Sequence, residues 1–145
     1  MTRTEPIGIL VVDDDPAVLD LLREMLEEEG YAVTAASAPP PTAEVARLHP
    51  DLIVLDHRLR AAESGWDVIR RLGTDPATAA VPILLCTAAT GDVRCLADQL
   101  TTRGVEVVLK PFDLDDLLAA VRRALARAPG PPRWGACRGR ASSQG

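Results

Sequence analysis

Three carboxylates in a row follow a short apolar run near the start of this chain. Ile9 to Val12 ends in Asp13, Asp14 and Asp15. At ~4 Å and an effective dielectric of ~20, a like-charged pair repels by about 4 kcal/mol. Such a cluster is either spread into solvent or neutralised. Other apolar runs also end in reactive types: LIVL in Asp56, ILLC in Thr87 and VEVVL in Lys110. Carboxylates are hard oxygen donors that suit Mg²⁺, which takes one or two of them and keeps water or phosphate oxygens besides. A lysine ammonium is a point charge for phosphate, and threonine adds a hydroxyl donor. Metal-binding acids, an ammonium and a hydroxyl around one carboxylate make a site for phosphorylating that carboxylate. Asp15 has a different task, since Asp15-Pro16 has the form of an N-cap with proline at the first helical position.

The elements that must hold these residues can be taken from the hydrophobic pattern. Ile7–Val12, Tyr31–Ala36, Asp51–Asp56, Val81–Ala88 and Val105–Lys110 are short apolar runs expected as strands. Between them lie helical patterns. Val18, Leu21, Leu22, Met25 and Leu26 form one face of a helix that Gly30 ends. Thr42–Leu48 gives a short helix, and Gly65–Leu72 a helix with Trp66, Ile69 and Leu72 inward. Asp92–Thr102 is a weaker helix, and Asp113 caps a last one with Leu114, Leu117, Leu118, Val121 and Leu125 on one face. Strand and helix alternate five times. Several strands are apolar on both sides of the pleat, as a parallel sheet covered on both faces requires. The expected fold is an open, doubly wound α/β domain with helices on both faces. In such sheets ligands bind outside the carboxyl ends of the strands, where strand order reverses. Asp13, Asp14, Asp56, Thr87 and Lys110 all fall on that edge.

Taken together, VVDDDP, PDLIVLD, PILLCTA and VVLKPF resemble a receiver domain of a two-component response regulator, like the bacterial chemotaxis regulator. The resemblance implies a flavodoxin-like sheet of order 2-1-3-4-5, with residues 1–128 as receiver; the Pro-, Gly-, Ser- and Arg-rich composition of 129–145 suggests a disordered tail. It implies that Asp56 accepts a phosphoryl group from a sensor histidine kinase or phosphotransfer protein. Asp14 would be a direct Mg²⁺ ligand, Asp13 a ligand partly through water, and Arg58 a ligand through its backbone carbonyl. Thr87 and Lys110 would contact the phosphoryl group, and Lys110-Pro111 would be a cis peptide. Output would go to an effector protein through the face of the last two helices and the last strand, which is also where copies could pair. Three departures stand out. Arg60 occupies the usual proline position of the acceptor loop, Gly65 comes nine residues after Asp56 where eight is usual, and Val107 replaces the customary aromatic.

Composition narrows the function further. The 145 residues carry a net charge of −5, with 47% apolar and 3% aromatic residues. That suits one domain with an aliphatic core and disfavours aromatic platforms for single-stranded nucleic acid. Pro129–Gly145 holds Arg133, Arg138 and Arg140 and no acid, so the body before it has 13 basic against 21 acidic residues, or −8. An acidic body binds duplex DNA poorly. Only a short stretch follows Arg127, so no direct nucleic-acid contact is expected. Three cysteines give no disulfide framework. No apolar run is long enough to span a bilayer, and the expected location is cytoplasmic. His57, His49 and Cys86 are expected to be structural, and Trp66 to be packing. Asp13-x-Asp15 also matches the acid pair of a haloacid-dehalogenase-type phosphatase, but Ala17 stands where that motif has Thr or Val, so the chain is not expected to be an enzyme. Two alternatives share the receiver fold: a phosphorylation-independent interaction module, and a phosphate sink or relay.

Overall fold

The structure is a computed structural model and describes residues 6–56, 64–88, 105–110 and 113–126, with the backbone alone for Ala88 and Lys110. The segment Asp92–Thr102, expected as a helix, lies outside the described residues, as do the acceptor loop 57–63 and the tail.

Five strands form one sheet: β1 (Gly8–Val12), β2 (Ala32–Ala36), β3 (Leu52–Asp56), β4 (Ile83–Ala88) and β5 (Glu106–Lys110). Their order is β2-β1-β3-β4-β5, and every pairing is parallel. The described helices are α1 (Pro16–Glu28), α2 (Thr42–Leu48), α3 (Gly65–Thr74) and α4 (Leu114–Ala126). Each strand starts one or two residues later than the apolar pattern suggests, although the Ile7 and Pro82 carbonyls just before β1 and β4 still accept the Ala32 and Ile53 N–H groups.

Strand alternation divides the core into two layers. Ile9, Val11, Leu52, Val54, Leu84 and Cys86 pack on one face with Leu22 and Leu26 of α1 and Leu117 and Val121 of α4. Leu10, Val12, Ile53, Leu55, Ile83 and Leu85 pack on the other with Val45 of α2 and Val68, Ile69 and Leu72 of α3. Central strand β3 is buried along its whole length, which explains why its sequence is apolar without alternation.

Two helical faces differ from the sequence reading. Leu21 is 52% exposed, while Leu19 is buried. At 3.6 residues per turn, Leu19, Leu22, Met25 and Leu26 define the buried stripe on α1, and Leu21 falls roughly 110° from its centre. On α4, Leu114 is exposed, and Ala120 and Ala124 fill the contact with Leu117 and Val121. Small residues there let the helix lie close to the sheet. Trp66 is half-buried against the α3 layer rather than inward like Ile69 and Leu72.

Local chemistry fixes the helix ends. Asp15 Oδ1 accepts the Ala17 N–H at 3.0 Å, and Asp113 Oδ1 accepts the Asp116 N–H at 2.7 Å, as expected of caps. Ser64 and Asp67 form a reciprocal capping box at the start of α3. At the end of α1 the Gly30 N–H donates to the Glu27 carbonyl and the Tyr31 N–H to that of Leu26. Gly30 has φ +95°, the left-handed turn for which glycine is favoured. His49 ends α2 with φ 54°, the single non-glycine residue in that region among the described residues.

Candidate functional site

The strand order reverses between β1 and β3, since β2 lies on one side of β1 and β3 on the other. Val12 pairs with Leu55. The next residues, Asp13 and Asp56, therefore emerge side by side at the carboxyl edge, at the switch point where open α/β sheets bind ligands. One carboxylate oxygen from each of Asp13, Asp14 and Asp56 lies within 4.8 Å of the other two. Asp13 and Asp56 are buried, at 5% and 7% exposure, and Asp14 is half-exposed.

Backbone contacts hold Asp13 in place. Its N–H donates to the Ala36 carbonyl at 3.1 Å, which prolongs the β1–β2 ladder by one step. Its Oδ1 accepts the Asp15 N–H at 2.9 Å, while Asp15 turns away to cap α1. The sequence did not announce this use of one Asp13 oxygen, although an Asp two residues before a helix cap often bonds this way. The three adjacent acids thus divide into two that face the cluster and one that starts the helix.

On β4, Cys86 pairs with Asp56, and Thr87 follows it, 4% exposed. Among the described residues the Thr87 hydroxyl has no hydrogen-bond partner. Lys110 takes the last register position of β5, opposite Ala88. The structure therefore brings the three acids together and sets Thr87 and the Lys110 backbone on the same edge. Arg58, His57, Arg60 and Pro111, with the expected cis peptide, lie outside the described residues. So do Cys95, Cys137 and Trp134. Cys86 is a buried member of the core, as expected.

The donor set fits Mg²⁺. It is all oxygen and partly buried, and a divalent cation would neutralise the mutual repulsion of three carboxylates so close.

A family model described as a response regulator receiver domain matches residues 9–122. The chain belongs to this family. The receiver is 38% identical over 120 residues to the DNA-binding dual master transcriptional regulator RpaA of Synechocystis sp., covering 82% of this chain and 49% of that protein. It is 40% identical over 121 residues to the DNA-binding response regulator MtrA of Mycolicibacterium smegmatis, covering 82% of this chain and 50% of that one. The receiver spans about half the length of these curated relatives. Among solved structures, the non-phosphorylated HemR receiver domain of Leptospira biflexa superposes with a TM-score of 0.68 at 29% identity, covering 88% of this chain and 99% of that chain. Chemotaxis protein CheY4 of Vibrio cholerae gives 0.71 at 20% identity, covering 83% and 99%, which supports the fold alone. Both the flavodoxin-like fold and the family expected from the sequence hold. Relatives of about twice this length are named as DNA-binding regulators, which argues against the expectation of no nucleic-acid contact drawn from the acidic body and the short stretch after Arg127.

No described helix is long and apolar enough to cross a membrane.

Proposed function

We propose that this receiver accepts a phosphoryl group on Asp56 from a phosphohistidine of a sensor histidine kinase or phosphotransfer protein, and that the added charge switches its contacts with an effector. The observation that carries this reading is the convergence of Asp13, Asp14 and Asp56 at the β1/β3 switch point. An Asp56 carboxylate oxygen attacks phosphorus. The new P–O bond forms as the P–N bond breaks, and the imidazole nitrogen leaves with the electron pair. Asp14 is the direct Mg²⁺ ligand in this reading, and Asp13, with one oxygen already on the Asp15 N–H, acts partly through water. In this reading the Arg58 backbone carbonyl would be a further protein ligand. Mg²⁺, when bound, neutralises the acids and the charge on the phosphoryl oxygens. Thr87 brings a buried hydroxyl able to donate to a phosphoryl oxygen, and Lys110 adds a positive charge. The phosphoryl group adds about −1.5 to −2 charges at neutral pH, enough to reorder a nearby surface.

Residues 1–128 form the receiver and 129–145 a tail in this reading. The effector contact is made with another protein, or with a DNA-binding portion as in the named relatives. Val107 stands where the family often has an aromatic, so the switch acts through Thr87 and the following loop.

The changed acceptor loop, with Arg60 and a late Gly65, favours one competing reading: an interaction module that works without phosphorylation. Chemical trapping separates the two. After incubation with a labelled small acyl phosphate and Mg²⁺, label bound as an aspartyl phosphate is released by hydroxylamine. Hydroxylamine-labile label on wild type, absent from Asp56→Asn, supports the phosphoacceptor. Label that resists hydroxylamine, or that persists in the variant, overturns it.

A further inference from the structure

Asp15 stands outside the acid cluster but is bonded to one member of it. The oxygens that come within 4.8 Å of one another belong to Asp13, Asp14 and Asp56, and Asp15 is exposed. Its N–H donates to Asp13 Oδ1 at 2.9 Å. Its own Oδ1 accepts the Ala17 N–H at 3.0 Å, and its carbonyl accepts the Leu19 N–H at 3.0 Å. Two aspartates thus make the same turn in succession, each carboxylate taking the N–H two residues on. The first turn orients a carboxylate of the cluster. The second starts α1.

The two turns share residue 15 and are mechanically joined through it. Asp15 has φ −94° and ψ 112°, the extended conformation of a cap residue whose side chain reaches the first-turn N–H groups. The cap and the carbonyl bond hold that conformation, and with it the direction of the Asp15 N–H. Asp13 is pinned from its other side by its own N–H on the Ala36 carbonyl at 3.1 Å. With its backbone and one carboxylate oxygen both committed, the Asp13 carboxylate is held in one orientation toward Asp14 and Asp56. Groups that orient a metal ligand in this way tune affinity without touching the metal.

We propose that Asp15 is a positioning residue for the metal site: by capping α1 it holds the N–H that orients the Asp13 carboxylate, and so sets the affinity for Mg²⁺. This rests on the Mg²⁺ reading of the acid cluster. The third acid acts through geometry and not through its charge, which lies in solvent.

Mg²⁺ titration of the full chain, followed by amide chemical shifts, tests this with wild type, Asp15→Ala and Asp15→Asn. Asn caps a helix about as well as Asp but carries no charge. Asp15→Ala should weaken the Kd for Mg²⁺ about tenfold, and Asp15→Asn should stay within about twofold of wild type. In metal-free protein, protection of the residue 15 amide against hydrogen exchange should fall in Asp15→Ala and hold in Asp15→Asn. Equal weakening in both variants overturns the proposal, because it assigns the effect to charge. So does an Asp15→Ala protein with the wild-type Kd or the wild-type amide protection, because Asp15 is then a helix cap alone. A wild type that binds no Mg²⁺ overturns the reading of the cluster itself, and the proposal with it.

Discussion

Replacing Asp56 by Asn should stabilise the metal-free protein and weaken its response to Mg²⁺. The three carboxylate oxygens lie within 4.8 Å of one another. Unit charges at that separation repel by about 3.5 kcal/mol at an effective dielectric of ~20. Asp56 belongs to two such pairs, so the unscreened relief is about 7 kcal/mol. Half-exposed Asp14 is screened by water and salt, and Asp13 is stabilised by the Asp15 N–H. A gain of about 1–3 kcal/mol remains after that discount. Urea unfolding in chelator and in millimolar Mg²⁺ measures both effects. Wild type should gain stability with Mg²⁺ by mass action on the folded state, and Asp56→Asn should gain much less. An Asp56→Asn protein that is less stable than wild type without metal, or that responds equally to Mg²⁺, would refute the reasoning.

Two left-handed residues should respond in opposite directions. Nothing lies within 4 Å of a Cβ added at Gly30, so Gly30→Ala pays only for its φ of +95° and should lose about 1–2 kcal/mol in urea unfolding. His49 already sits at φ 54°, so His49→Gly should gain about 0.5–1 kcal/mol in the same assay. Ser64→Ala should lose about 1 kcal/mol through the α3 cap. The Ser64 N–H, 3.0 Å from Asp67 Oδ2, is the main cause that holds Asp67 below the ordinary carboxylate value. A group lowered on folding stabilises above its unfolded pKa and loses that contribution as pH falls through the folded one. Asp67→Asn should therefore flatten stability against pH below about pH 4, and an unchanged acid limb in thermal melts would count against the capping box.

The sheet was legible because its strands are short apolar runs closed by polar residues, and because a parallel sheet leaves its functional groups on one edge. Asp13, Asp14 and Asp56 could be grouped from strand ends before any register was known. The helix faces were less legible. Leu21 and Leu114 are leucines at plausible spacing, yet both are exposed, while Ala120 and Ala124 carry the α4 contact. Hydrophobicity alone does not say which edge of a wide apolar stripe meets the sheet. Long-range polar contacts were invisible for a similar reason. Arg71 Nη1 donates to the Pro40 carbonyl and to Thr42 Oγ1, at 3.1 and 2.9 Å, and so ties α3 to the loop before α2. Asp51 Oδ2 accepts the Gly8 N–H at the opposite end of the sheet from the acids. No local pattern encodes either, because each joins segments set together only by the finished fold.

Intact mass after incubation with acetyl phosphate tests the central claim most directly, with wild type and Asp56→Asn run with and without Mg²⁺. The account predicts the mass of one added phosphoryl group on wild type, dependent on Mg²⁺ and absent from Asp56→Asn. Wild type that stays unmodified with excess donor and Mg²⁺, or a variant modified to the same extent, would contradict it.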